Sequence, residues 1–88
     1  MTAENNEIEL FVLEMLRTRF DVPEAKLTEQ ATLKSLGIDS LGGVELSLTI
    51  KKKYGVQFIA GEIGVEFTVT DVAELTREKL GELEAAAS

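Results

Sequence analysis

The sequence predicts an all-α fold, a small four-helix bundle with three main helices and one short helix. Apolar residues recur at helical spacing in three segments, and no segment alternates at period two for long enough to argue for a strand. The chain has 88 residues, of which 44% are hydrophobic and 28% are charged, which fits one globular domain with a small core. We therefore expect a single domain over residues 1–88, with residues 1–3 and 84–88 frayed.

The first helix is predicted from Glu4 to Arg19, and a long loop is predicted to follow it. Its apolar residues have the i, i+3, i+4 spacing of a buried face, and two further leucines widen that face: Ile8, Phe11, Val12, Met15, Leu16, Leu10 and Leu13. Pro23 disfavours the α conformation at Val22, so the helix ends before it. The loop, residues 21–39, is expected to be pinned to the core and to contain a short turn at residues 33–36. The pinning residues are Val22, Leu27, Leu33, Leu36 and Ile38.

The second helix is predicted to begin at Asp39 or Ser40, which are both favourable N-cap residues, and to end at Gly55. At about 100° per residue, its apolar residues fall on two separate faces. The face expected to pack on the core comprises Leu46, Ile50 and Tyr54. The opposite face comprises Leu41, Val44 and Leu48, flanked by Glu45 and Lys52. On periodicity alone, this second face is either a docking surface for other proteins or is covered by the long loop.

The last third of the chain is predicted to hold the short helix and the final long helix. The segment from Gly61 to Phe67 is brief and glycine-rich, so we expect no more than a short helix there. Residues 68–71, Thr-Val-Thr-Asp, match a capping box, in which the first and last side chains satisfy each other's backbone N–H groups. The last helix is therefore predicted to run from this box to about Leu83.

Composition argues against several classes of function. With no His and no Cys, the chain lacks the usual proton shuttle, a thiolate nucleophile and the common zinc ligands. We therefore expect neither a catalytic residue nor a metal site. Sixteen acidic and nine basic residues give a net charge of -7, which argues against binding to nucleic acids or anionic membranes. The amino terminus has no basic stretch followed by an apolar run, and we expect a cytoplasmic monomer.

Ser40 lies in the string LGIDSLGGVEL, residues 36–46. This string resembles the attachment motif of acyl carrier proteins, in which the Ser of an Asp-Ser-Leu triplet receives 4'-phosphopantetheine. The likeness extends over nearly the whole chain, through ATLKSLGIDSL, KKKYGVQF and TVTDVAEL. It implies that residues 1–88 form one acyl carrier domain. Without it, Ser40 and Asp39 would be interpreted simply as helix caps.

The resemblance implies a non-catalytic carrier that holds acyl intermediates as thioesters on a 4'-phosphopantetheine arm at Ser40. The arm would come from coenzyme A through a phosphopantetheinyl transferase that supplies the base and the metal ion, which suits a chain without His. Asp39 and Leu41 would complete the motif that the transferase recognises. Further partners would be acyl-loading enzymes, acyltransferases, ketosynthases and tailoring enzymes.

The resemblance also implies that the second face of the second helix meets these partners, through Leu41, Val44, Glu45 and Leu48. Carriers of primary fatty acid synthesis usually bear several carboxylates along this helix, whereas this chain has Gly42 after the triplet and three lysines, residues 51–53, near the end. We therefore expect a freestanding carrier of a polyketide or related specialised pathway, with Lys51 and Lys52 in the docking surface. The alternative for the lysines is pairing with the helix dipole.

Two other functions stay open. One is a freestanding aminoacyl or peptidyl carrier of nonribosomal peptide-type biosynthesis, although such carriers more often have a Gly-Gly-x-Ser setting where this chain has Ile38 and Asp39. The other, from a different class, is an unmodified helical adaptor that binds proteins through the same face. Modification of Ser40 distinguishes a carrier of either kind from an adaptor.

Overall fold

A computed structural model describes residues 5–28, 30–59 and 61–87. Its helices are α1 (Asn5–Thr18), α2 (Ser40–Tyr54) and α3 (Val69–Ala87), and a single 3-10 turn covers Glu24–Lys26. The described residues form no strand apart from an isolated antiparallel bridge, so the all-α class is confirmed. No helix in these three ranges is long and apolar enough to cross a membrane.

The three helices and the loop between α1 and α2 share one apolar core. The core residues are Ile8, Val12, Met15 and Leu16 from α1, Leu46 and Ile50 from α2, Val69, Val72 and Ala73 from α3, and Val22, Leu33, Ile38, Val56 and Ile63 from the connecting segments. The prediction that Leu10 widens the buried face of α1 is wrong, because this side chain is 62% exposed. Leu10 lies two residues from Val12, about 160° away around the helix, and therefore points away from the core.

The long loop between α1 and α2 is pinned to the core as predicted. Val22, Leu33 and Ile38 are buried along it. The turn expected at residues 33–36 is present, since the Leu36 N–H donates to the carbonyl oxygen of Thr32 at 3.1 Å. The turn is tied to the segment before α3 by backbone hydrogen bonds from Leu33 to Phe67 at 2.9 Å and from Lys34 to Val65 at 2.8 Å. The loop therefore delivers the chain to the start of α2 from a fixed position.

The segment between α2 and α3 forms turns where a short helix was expected. Gly61 has a φ of 83°, a left-handed conformation that interrupts a helix. The Glu62 carboxylate accepts the N–H of Ile59 at 2.9 Å and pairs with the Lys79 ammonium at 3.0 Å. These bonds lower the pKa of the Glu62 carboxyl, the hydrogen bond from Ile59 contributing most. Glu62 therefore holds this segment as a turn against α3.

α3 begins at the predicted capping box and ends later than predicted. The Thr68 hydroxyl accepts the Asp71 N–H at 3.1 Å, and the Asp71 carboxylate accepts the Thr68 N–H at 3.0 Å. The helix continues to Ala87, beyond the expected end at Leu83, because the consecutive alanines there have the highest helix propensity. Residues 84–87 are therefore helical, whereas residues 1–3 and Ser88, also expected to be frayed, lie outside the described residues.

Candidate functional site

Asp39 and Ser40 form the amino-terminal end of α2. Asp39 is the N-cap residue, with an extended backbone, and its Oδ1 accepts the Gly42 N–H at 2.9 Å. Ser40 is the first residue of the helix and is exposed. Among the described residues, its hydroxyl has no hydrogen-bond partner. The predicted cap is thus Asp39, and the Ser40 hydroxyl is left open to solvent.

This end of α2 suits an anion attached to Ser40. The unpaired N–H groups and the dipole give a helix start a partial positive charge, which stabilises a phosphodiester. Asp39 satisfies one of those N–H groups and brings its own negative charge. The Asp39 carboxylate accepts the Gly42 N–H and so stabilises the helix start. It forms no hydrogen bond with the exposed hydroxyl of Ser40 in the described part of the chain.

Two hollows flank Ser40. One, of about 180 Å³, lies between α2 and the segment after it and is lined by Ser40, Gly43, Val44, Ser47, Ile59, Gly61, Ile63, Gly64 and Val65. The other, of about 520 Å³, is lined by Lys34, Gly37, Ile38, Asp39, Ser40 and Val65. A Cβ at Gly43 would lie 3.3 Å from the Ile63 carbonyl oxygen, so glycine allows α2 to approach this segment closely. Both hollows are open to solvent, so a long, flexible group joined to the Ser40 hydroxyl would meet no obstruction on either side.

The second face of α2 is exposed. Leu41 is 71%, Leu48 52% and Val44 40% exposed, whereas Leu46 and Ile50 on the other face are fully buried. Glu45, Lys51 and Lys52 are also exposed. The alternative in which the long loop covers this face is therefore wrong. We call Leu41, Val44, Glu45 and Leu48 the docking stripe, although its binding of partners stays a prediction.

Gly42 faces the interior of the protein and not the docking stripe. A Cβ at this position would lie 2.6 Å from Cγ2 of Ile38 and 3.3 Å from Cε1 of Phe20. Ile38 is buried, and its branched side chain cannot easily turn away. The absence of a side chain after the Asp-Ser-Leu triplet is therefore a consequence of packing between α2 and the loop before it.

Sequence reasoning missed two residues beside the site. Ile59 is 76% exposed and lines the smaller hollow together with Ser40 and Val44. Arg19 lines a groove with Leu48 and Lys52, which lie on α2. Ile59 belongs to a segment without periodicity, and Arg19 meets α2 only in the folded chain. Neither position carries a local signal from which its placement could be predicted.

Comparisons with known proteins agree with this geometry. Residues 11–86 match the model of a family described as the phosphopantetheine attachment site. A curated relative, the acyl carrier protein of Thermotoga maritima, is 31% identical over 80 residues, which cover 90% of this chain and 99% of that protein. No solved structure matches the chain at a significant level.

Proposed function

Because the chain belongs to the phosphopantetheine-attachment family of acyl carrier proteins, we propose that Ser40 is the residue that bears its arm. Membership defines the general function: the chain is a non-catalytic carrier, and its cofactor is covalently attached 4'-phosphopantetheine. Its partners are a phosphopantetheinyl transferase and enzymes that handle acyl groups. Ser40 would be the attachment residue within that function.

One observation carries the assignment of Ser40: its hydroxyl is exposed and unpartnered among the described residues, at the start of α2. Asp39 caps the helix and would hold the serine in place for the transferase, with Leu41 completing the recognised motif. The arm supplies a terminal thiol, which forms thioesters with acyl groups. The protein's own part is attachment, support by the positive end of α2, and presentation to partners.

The docking stripe is proposed to meet those partners. Leu41, Val44 and Leu48 offer exposed apolar contact on the same helix as Ser40, and Glu45 lies among them. Exposed apolar patches rimmed by charge are typical of protein-binding surfaces. Lys51 and Lys52 extend the surface toward the end of α2.

We propose that the acyl cargo belongs to a polyketide or related specialised pathway. We also propose that the chain is a monomer located in the cytoplasm. Loading enzymes, acyltransferases, ketosynthases and tailoring enzymes would be the partners. Support comes from the docking surface, which has one carboxylate, Glu45, and the cations of Lys51 and Lys52. A strongly basic enzyme surface would meet repulsion there. Incubating the modified protein with a panel of loading enzymes and reading the thioester by mass tests the pathway.

Intact mass after expression with a broad-specificity phosphopantetheinyl transferase tests the attachment site. We expect a gain of one phosphopantetheine, lost in Ser40→Ala. Ser47→Ala is the matched control, because Ser47 lines the smaller hollow but its hydroxyl donates to the Val44 carbonyl oxygen at 2.7 Å. Ser47→Ala should be modified normally. A gain that persists in Ser40→Ala would place the arm on another residue, and no gain with several transferases would favour the adaptor.

A further inference from the structure

Two cations from different helices line one groove beside the docking stripe. Arg19 follows the end of α1, Lys52 lies in the last turn of α2, and the groove that they share has a volume of about 340 Å³. Both side chains are exposed, and neither forms an ion pair with another residue in the described part of the chain. Glu45 also lines this groove, so two cations face one carboxylate and the formal charge of the lining is +1, whereas the net charge of the whole chain is -7.

The groove is continuous with the docking stripe. Leu48 and Glu45 belong to both, and Leu48 gives the groove an apolar surface that is 52% exposed. Thr49 also lines it, and the Thr49 hydroxyl donates to the Glu45 carbonyl oxygen at 3.1 Å. A protein that contacts Leu48 from the stripe would therefore also come within reach of Arg19 and Lys52.

We infer that the docking surface extends from α2 onto the end of α1, where the groove between Arg19 and Lys52 receives a carboxylate side chain of a partner enzyme. This inference rests on the proposed carrier function. An Arg guanidinium binds a carboxylate through two parallel hydrogen bonds, and a Lys ammonium adds a second positive charge. Leu48 supplies the apolar contact that makes such a pair part of a protein interface.

The arrangement specifies the charge of the partner. The enzyme surface carries an acidic side chain opposite Arg19 and Lys52, an apolar side chain opposite Leu48, and a basic side chain opposite Glu45. An enzyme whose docking surface is uniformly basic is repelled at the groove. Complementary charges at the rim of an interface act chiefly on association rate and on partner choice. Arg19 is thus a specificity-determining residue that lies outside the attachment motif.

The test compares two ketosynthases, one with an acidic and one with a uniformly basic carrier-docking surface, as acceptors of an acyl group from the loaded protein. Reversing both cations, Arg19→Glu with Lys52→Glu, should lower kcat/KM with the acidic enzyme by about tenfold at low ionic strength. The same variant should raise kcat/KM with the basic enzyme. Both changes should shrink at about 1 M salt, where the screening length falls to about 3 Å.

The matched control reverses two exposed cations outside the groove, Arg17→Glu with Lys26→Glu, and so changes the net charge equally. If the two variants affect the acidic enzyme equally, or if neither has an effect, the inference that the groove binds a partner carboxylate is wrong. Intact mass separates this result from failure of the proposed function. If the unmutated protein acquires no arm, the carrier function itself is wrong. If it is modified and acyl transfer is insensitive to substitution of Arg19 and Lys52, only the inferred role of the groove is wrong.

Discussion

Substituting Gly42 by Ala should destabilise the protein, although Ala is the better helix former. Near the start of a helix, the propensity gain from Gly to Ala is below about 1 kcal/mol. Against it stands the new Cβ, which would lie 2.6 Å from Cγ2 of Ile38 and 3.3 Å from Cε1 of Phe20. Adding a methyl group to a well-packed site costs typically about 1–3 kcal/mol. We therefore expect a net loss of about 1–2 kcal/mol.

Thermal or urea unfolding of purified variants measures this loss. A change of 1 kcal/mol shifts the melting temperature of a domain of this size by roughly 4–8 °C. The atom of Ile38 that would clash with the new Cβ, Cγ2, can be removed selectively. Ile38→Leu removes the Cγ2 methyl group from Cβ and keeps the side-chain volume. Ile38→Val keeps a methyl group at that position and removes the terminal Cδ1 methyl group. Each single substitution should itself cost less than about 1.5 kcal/mol.

The two double mutants separate the proposed contact from general loosening of the core. Ile38→Leu should recover about 1 kcal/mol of the loss in the Gly42→Ala background, because adjacent residues couple by about 0.5–3 kcal/mol. Ile38→Val should recover little. We infer that glycine is needed at position 42 because Ile38 packs against α2 there. Equal recovery with Leu and Val would refute this inference. So would a Gly42→Ala protein that is as stable as the unmutated one.

Three further substitutions test other parts of the fold. Thr68→Ala removes one half of the capping box and should cost about 1 kcal/mol in urea unfolding; an unchanged midpoint would mean that the box is dispensable. Asp21→Gly should stabilise the protein by about 0.5–1 kcal/mol, since Asp21 has a φ of 56° and left-handed backbone penalises residues with a Cβ; lower stability would show that the Asp side chain matters more. The pKa of Glu62 is lowered below its usual 4.5, so its contribution is present above that pH and is lost as the pH falls through the folded-state value. Glu62→Gln should therefore reduce stability at neutral pH, by less than about 1 kcal/mol for a partly exposed pair; the difference from the unmutated protein should vanish in acid, and a constant difference across pH would contradict the charge pairing.

The parts of the fold that the sequence predicts best are those with a local chemical cause. The start of α2 at Asp39, its end at Gly55 and the capping box at Thr68 each depend on a hydrogen bond or backbone preference within a few residues. The turns at residues 61–67 have a local cause in the left-handed Gly61, but their attachment to α3 also uses the ion pair between Glu62 and Lys79. No local pattern contains that contact.

The residues of the candidate site also differ in whether a local pattern predicts them. Ser40 is found from its motif, and the helical period places Leu41 and Leu48 on a face separate from the core face. Their exposure is seen only in the folded chain, where the long loop leaves that face uncovered. The position of Arg19 beside Lys52 depends on how α1 packs relative to α2, and this is visible only in three dimensions. A period of 3.6 residues can place a side chain on one face of its own helix but cannot tell which residue of another helix lies beside it.

The two backbone hydrogen bonds from residues 33 and 34 to residues 67 and 65 have a consequence for local unfolding. They join the loop that leads to Ser40 to the chain just before α3, although about 30 residues separate the two segments in sequence. Opening of either segment breaks the same bonds and exposes the same buried Leu33. The two segments joined in this way should therefore open as one cooperative unit, and the amides of Leu33 and Lys34 should exchange with solvent at closely similar rates.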